Sequence, residues 1–429
     1  MSYKLRIGIA GLGTVGVGVV RILQENGALL ASRCGKELEL VAVSARSQKD
    51  RGVDLSGVRF EEDARTLAAA DDIDMVVELI GGDEGVAREL VEQALANGKE
   101  VVTANKALIA KHGAAMAEAA EKSDVTLGFE AAVAGGTPIL AMLREGLSAN
   151  RITRVSGILN GTCNFILTEM EKRGCDYEVM LKEAEELGYL EADPRLDIDG
   201  IDTAHKLAIL AAIGFGKAPH MDGVDCTGIS EVGLADVRYA ASLGYRIKLV
   251  GRAEMIGDKV LQIVCPMLVP HSAPLASVES SYNAIEVHGD HVERIFLQGR
   301  GAGPGPTASA VVADIVAAAR GTQAAPFSLN SEHLEALAPA DADDFVSRHY
   351  LRLRVKDEPG VLAKIAELCN AQGVSVEELR QDPTKDQKAA DIVITTHAAS
   401  SRAMKQVIAG IVALDANVSK PVWIRVEEA

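Results

Sequence analysis

Residues 5–16 read Leu5-Arg6-Ile7-Gly8-Ile9-Ala10-Gly11-Leu12-Gly13-Thr14-Val15-Gly16. A short apolar run, 5–10, breaks at a glycine turn and passes into a helical stretch, 14–25. Gly11, Gly13 and Gly16 fit G-x-G-x-x-G. The first glycine permits the tight turn, the second lets a pyrophosphate approach the backbone, and the third allows close packing of helix on strand. The helix that follows points free N–H groups and a positive dipole end at the phosphates. Such a loop also occurs as an idle turn. Here the strand before it and the helix after it favour a dinucleotide site built from Gly11, Gly13, Thr14, Val15 and Gly16.

Outward from this loop, short apolar runs at 38–44, 75–79, 100–103 and 127–130 alternate with helical periods, as in 86–96. That alternation predicts a doubly wound parallel sheet of the Rossmann type over residues 1–135. The second strand of such a sheet normally ends in an acid that holds the ribose 2′-hydroxyl of NAD. Here it ends Val43-Ser44-Ala45-Arg46. An arginine suits a 2′-phosphate, so NADP(H) is favoured and NAD is the alternative; a solvated loop charge is the plain reading of Arg46.

Beyond residue 136 the pattern changes. A long helical region, 162–212, precedes β-rich runs at 245–252, 261–266, 283–288 and 292–298. Strands after helices predict an α+β domain with a mixed or antiparallel sheet over 136–304. The glycine- and proline-dense turn 299–306 opens a helix, 307–320, that returns to complete the first domain over about 305–330. Residues 321–347 read as a linker with a short helix. Residues 349–429 read β-α-β-β-α-β, a ferredoxin-like unit. The fold class is therefore α/β plus α+β in three parts, as the 429-residue length also suggests.

Lys and Arg number 44 against 61 Asp and Glu, a net charge of −17, which argues against nonspecific nucleic-acid or anionic-membrane binding. No apolar run approaches the roughly 20 residues of a membrane span, and the N-terminus lacks a signal-peptide pattern. Six cysteines without CxxC spacing suit buried thiols in a reducing cytoplasm, not a disulfide or zinc framework. His288 and His291 fall at an expected hairpin turn, and His205 is expected to pack.

The most informative segment is Ala184–Lys206, which ends Asp197-Ile198-Asp199-Gly200-Ile201-Asp202-Thr203-Ala204-His205-Lys206. Asp202 and Lys206, four apart, share one helix face. A lysine among carboxylates in a cleft is a positioned proton carrier, and hydride transfer from an alcohol needs one, because the hydroxyl proton must leave as the carbonyl forms. Alone, the pair reads more readily as an ordinary surface helix salt bridge.

The segment resembles the signature of homoserine dehydrogenases at Ala184, Gly188, Asp193, Pro194, Asp197, Ile198, Gly200, Asp202 and Lys206, with Leu190 where a small residue is usual. Further motifs stand in family order: Thr103-Ala-Asn-Lys106, Glu130 to Pro138, Gly157 to Asn164 and Gly301 to Thr307. The resemblance implies reversible NADP(H)-linked interconversion of L-aspartate 4-semialdehyde and L-homoserine. It implies Lys206 as general acid–base, Asp202 as its support and a contact for the substrate amino group, and Lys106, beside the nicotinamide, as the rival proton carrier. Gly188, Glu191 and Asp197 match substrate-binding positions; Thr103 and Gly303 match cofactor contacts. Glu130, Val133, Gly135 and Thr137 match a monovalent-cation site, usually sodium, held largely by backbone carbonyls.

Arg352 to Ala363, with Asp357-Glu358-Pro359-Gly360, resembles the start of an ACT regulatory domain. That implies feedback by L-threonine, a homodimer or homotetramer, and catalysis that survives loss of residues 345–429. No kinase segment precedes the glycine loop, as in monofunctional forms. Two other readings remain at this stage: another NADP-linked oxidoreductase of small amino-acid-like substrates, and a non-catalytic amino-acid sensor that binds NADPH. The first usually carries a histidine–acid pair, and the second would be expected to lose Lys206 or Asp202.

Overall fold

The computed structural model describes residues 4–190, 193–322, 324–383 and 389–427. Its first sheet is parallel, in the order β3-β2-β1-β4-β5-β6, from β1 (Lys4–Ala10), β2 (Glu37–Ser44), β3 (Arg59–Glu61), β4 (Met75–Glu78), β5 (Glu100–Thr103) and β6 (Leu127–Gly128). Strand order reverses between β1 and β4, so the ligand crevice lies beyond the carboxyl ends of those strands. The apolar run of β1 is explained by burial of Ile7 and Ile9 between helices on both faces.

Helix Pro304–Arg320 packs across helix Thr14–Cys34, and Val19, Val20, Val311 and Ile315 share one core. Their crossing depends on Gly18, where a Cβ would come 2.5 Å from the Pro304 carbonyl oxygen and 2.9 Å from Ala308 Cβ. A helix from far along the chain thus packs on the first helix of the parallel sheet.

The second sheet combines β7 (Ile152–Ile158), β8 (Asp225–Cys226), β9 (Tyr245–Ile256), β10 (Lys259–Pro270), β11 (Tyr282–Gly289) and β12 (Glu293–Arg300) with the C-terminal unit. That unit supplies β14 (His349–Lys356), β15 (Val376–Pro383), β16 (Ala389–Thr396) and β18 (Val422–Val426), while β13 (Val346–Ser347), just before it, pairs with its β17 (Ala399–Ser400) as a separate two-stranded sheet. The strand order is β12-β11-β7-β9-β10-β18-β14-β16-β15, with β8 also on β10. Within it, β18-β14-β16-β15 is the ferredoxin-like order. A parallel pairing of Met267 with Arg425 and Leu268 with Val426 makes the two units one sheet.

Three differences from the sequence reading have physical causes. The long helical region, whose internal boundaries the sequence reading left open, divides into four helices: Gly161–Arg173, Tyr177–Glu186, Pro194–Ile198 and Ile201–Phe215. Gly174, Gly188 and Gly200 interrupt it with φ of 64°, 70° and 83°, values that glycine adopts without the Cβ penalty. Strand β7 was not anticipated. Residues 321–347 are not a free linker: Phe327, Leu337 and Phe345 are buried, and the described part holds only short 3₁₀ turns and β13. All six cysteines are unpaired thiols, His288 lies near the end of β11 and His291 within the β11–β12 hairpin turn, and no helix among the described residues is long and apolar enough to cross a membrane.

Candidate active site

β7 delivers Leu159 and Asn160 to the head of helix Gly161–Arg173, where the Asn160 side-chain oxygen caps the helix by accepting from the Cys163 N–H at 2.8 Å. Opposite, helix Ile201–Phe215 starts after Gly200 and presents Asp202 and Lys206 on one face. The Lys206 ammonium lies 2.7 Å from Asp202 Oδ2 and donates to the Leu159 carbonyl at 2.7 Å. From the first domain, Lys106 opens helix Lys106–Lys122 and sets its ammonium 2.6 Å from Asp202 Oδ1. One buried carboxylate therefore takes a lysine on each oxygen. Burial opposes its ionisation, but the charges of Lys206 and Lys106 prevail and hold Asp202 well below the usual carboxylate range.

Asn160 gives its two amide hydrogens to Asp202 Oδ2 at 2.8 Å and Asp197 Oδ1 at 2.7 Å. These groups line a cleft of about 550 Å³, together with Gly188, Tyr189, Thr14, Val15, Gly303 and Thr307. Lys206, whose side chain is 11% exposed, thus faces the glycine-loop crevice and not bulk solvent. Lys106 and Asp202 also line a second cavity, about 670 Å³, with Asp83, Lys111 and His205. His205, expected only to pack, faces that cavity, and burial lowers its pKa.

The glycine loop has the geometry that a pyrophosphate needs. Gly11 has φ 105° and a Cβ on Gly16 would collide with its carbonyl oxygen, whereas a Cβ on Gly13 would meet open space. Gly13 is the uncapped N-terminus of helix Thr14–Cys34. Arg46 stands exposed beyond the end of β2. Gly303, φ 115°, is the equally uncapped start of helix Pro304–Arg320. Thr103 is placed differently: its side chain is buried and its hydroxyl donates to Glu78 Oε2 at 2.6 Å, while its oxygen accepts from the Asn105 N–H at 2.9 Å. Its side chain secures the turn before Lys106; a cofactor contact would fall to its backbone.

Glu130, Val133, Gly135 and Thr137 are buried on one loop. The Glu130 carboxylate accepts the Leu140 and Ala141 N–H groups at 2.8 and 2.7 Å, with Arg144 at 3.6 Å. Burial, reinforced by Asp314, pushes it up to about 7. The Gly135 N–H donates to the Gly301 carbonyl at 3.1 Å, tying the loop to the cleft wall. The Thr137 hydroxyl is buried without a hydrogen-bond partner, which leaves an oxygen for a hard cation. No cluster of three His, Cys, Asp or Glu suited to a metal occurs among the described residues. Glu191 lies outside them.

Sequence reasoning gave no role to Asn160, Glu78 or Arg51. Arg51 donates to the Leu12, Ser47 and Lys49 carbonyls, at 2.8, 2.8 and 3.0 Å, and braces the glycine loop. Asn160 stood inside a motif already noted, directly before a helix start, and that N-cap signal could have found it.

Residues 138–316 match the homoserine dehydrogenase family, residues 11–130 its NAD-binding domain, and residues 349–412 the ACT domain. A homoserine dehydrogenase of Neisseria gonorrhoeae is 43% identical, over 99% of this chain and 98% of that protein. The crystal structure of a homoserine dehydrogenase from Thiobacillus denitrificans superposes with a TM-score of 0.93 at 42% identity, covering 100% of this chain and 99% of that one. A hyperthermophilic archaeal homoserine dehydrogenase in complex with NADPH gives 0.63 at 30% identity, over 73% and 97% of the two chains. With the family match, the identity and the fold agreeing over nearly the whole length, the chain belongs to the homoserine dehydrogenase family of oxidoreductases.

Proposed function

We propose that the protein interconverts L-aspartate 4-semialdehyde and L-homoserine with NADP(H). The observation that carries this is the Asp202 carboxylate held between Lys106 and Lys206 at the glycine-loop crevice. The loop glycines with Thr14 and Val15, Arg46 and the backbone near Thr103 and Gly303 would hold the nucleotide, and the archaeal relative's NADPH complex supports that choice. When bound, NADPH supplies a hydride to the aldehyde carbon. Lys206, as ammonium, protonates the oxygen as negative charge grows on it; in the oxidative direction its neutral amine takes the hydroxyl proton. Lys106 is the second candidate for that proton. Asp202 fixes both amines, and Asp197 and Gly188 form the side that receives the substrate ammonium; the family resemblance adds Glu191 to the substrate contacts.

The loop of Glu130, Val133, Gly135 and Thr137 would hold a monovalent cation, sodium by preference, through carbonyl oxygens. Residues 1–135 with 305–330 bind cofactor, 136–304 carry catalysis and subunit contacts in a homodimer or homotetramer, and 349–429 receive L-threonine as feedback inhibitor of the threonine, methionine and isoleucine route. The setting is the cytoplasm. Lys206→Ala should lower turnover by roughly 10²- to 10⁴-fold while NADPH binding, followed by nucleotide fluorescence, persists. Near-normal turnover would remove Lys206 from the chemistry.

A further inference from the structure

Asp197 and Asp202 lie close together in the cleft wall, both almost wholly buried. Each accepts from the same nitrogen, Asn160 Nδ2, so their oxygens are on the order of 5 Å apart, given ordinary hydrogen-bond lengths. At that range two carboxylates raise each other's proton affinity unless something intervenes. Among the described residues, the groups facing them include Lys206, on the same helix as Asp202, Lys106 from the first domain, and the Cys163 thiol, which donates to the Asp197 main-chain carbonyl at 3.2 Å.

The amide cannot be turned around. Its oxygen is committed to the Cys163 N–H at the helix cap, which leaves both hydrogens for the acids. The preceding residue, Leu159, meanwhile holds Lys206 through its carbonyl. The end of β7 thus grips both halves of the Asp202–Lys206 pair.

We infer that Asn160 is a positioning residue for the proton transfer: a neutral bridge that draws off part of the charge of Asp197 and Asp202 and aims Asp202 at Lys206, so that without it Asp202 would hold Lys206 more firmly in its charged form. This rests on the reading of the lysine pair as proton carrier. A neutral donor does here what a third cation would do at the cost of repelling the substrate ammonium.

Two variants separate this role from helix capping. Asn160→Asp and Asn160→Ser both keep a side-chain oxygen for the cap and lose the two amide donations. Asn160→Asp adds a carboxylate beside the lysines, which favours their charged form. In homoserine oxidation the accepting amine must be neutral, so the pH at which kcat rises should move upward, further for Asn160→Asp than for Asn160→Ser. We expect kcat to fall by roughly tenfold or more, by the scale of misaligned proton transfer, with KM for the nucleotide unchanged and melting temperatures near the parent's. An unshifted pH limb in both variants overturns the proposal, whether kcat is retained or falls along with thermal stability. Should Lys206→Ala retain turnover, the underlying reading of the lysines fails; if Lys206→Ala abolishes turnover and the Asn160 limbs stay in place, the bridge alone fails.

Discussion

At the scale of single residues, the buried acids have opposite signs in their pH dependence. Asp202 is depressed in the folded state, so its contribution to stability is fully present above the ordinary carboxylate range, about pH 4, and is lost as pH falls through its lower folded value. Glu130 and Asp314 behave in reverse. Burial raises them to about 7 and about 6, so between their ordinary values and these the folded chain binds more protons than the unfolded one. Stability therefore declines as pH rises through that window. Asp314→Asn, whose amide oxygen can still accept the Glu130 N–H, should flatten the fall in urea midpoint between about pH 4 and pH 6, measured in sodium-free buffer. An unchanged slope would show that Asp314 does not titrate there. Asp202→Asn should flatten the acid limb instead, and it should slow turnover by leaving two ammonium groups without their shared counter-charge.

At the scale of elements, period and punctuation were legible where one local rule sufficed. β1, its glycine loop and the helix after it could be read because every residue agrees: apolar strand, three glycines, uncapped helix start. β7 was missed because Ile152-Thr153-Arg154-Val155-Ser156-Gly157-Ile158 alternates weakly and carries a glycine that packs against the Ala284 carbonyl of β11. The helical breaks at Gly174, Gly188 and Gly200 were visible as glycines but not weighed against the apolar period. Two predictions belong here. Gly18→Val would drive a side chain into Pro304 and Ala308, and overpacking of this kind costs about 1–3 kcal/mol; denaturant unfolding would register it, and an unchanged midpoint would mean the two helices can separate freely. Arg46→Ala, at the exposed end of β2, should raise KM for NADPH by about tenfold, the scale of one lost charge-assisted contact, and leave NADH kinetics as they were. Equal effects on both nucleotides would assign Arg46 to the loop alone.

At the scale of the whole molecule, the sequence offered the C-terminal unit as a separate body, whereas the chain joins it to the central sheet through β10 and β18. That pairing is set by surfaces more than 150 positions apart, and no local pattern encodes it. Buried Arg252 pairs with Glu427 across the same seam at 3.0 Å. Removing residues 345–429 would strip the edge of β10 and leave Arg252 without that partner, so truncation would confound folding with regulation. A point change is cleaner. Helix Leu234–Ser242 carries buried Asp236, which accepts from Tyr350 at 3.0 Å and from two nitrogens of Arg352 at 2.6 and 2.9 Å on β14. Just before this helix, the Ile229 N–H donates to the Ile198 carbonyl at 2.9 Å, one residue past Asp197, and Gly228 is pressed so closely on Ile198 that a Cβ there would collide. Residues 228–236 therefore run from the acidic wall of the cleft to the first strand of the C-terminal unit. A ligand that shifts β14 would pull on Asp236 and, through this short segment, on the helix start that positions Asp197 and Asp202. Asp236→Asn is isosteric and keeps the Tyr350 contact while removing the charge that holds Arg352. Under the proposed threonine feedback, threonine-free turnover should stay within about twofold, and the threonine concentration for half-inhibition should rise by about tenfold, within the usual range of allosteric coupling. Initial-rate titrations of the full-length variant with threonine check this; a curve superimposable on the parent's would mean that the signal, if it reaches the cleft, travels through the β10–β18 seam instead.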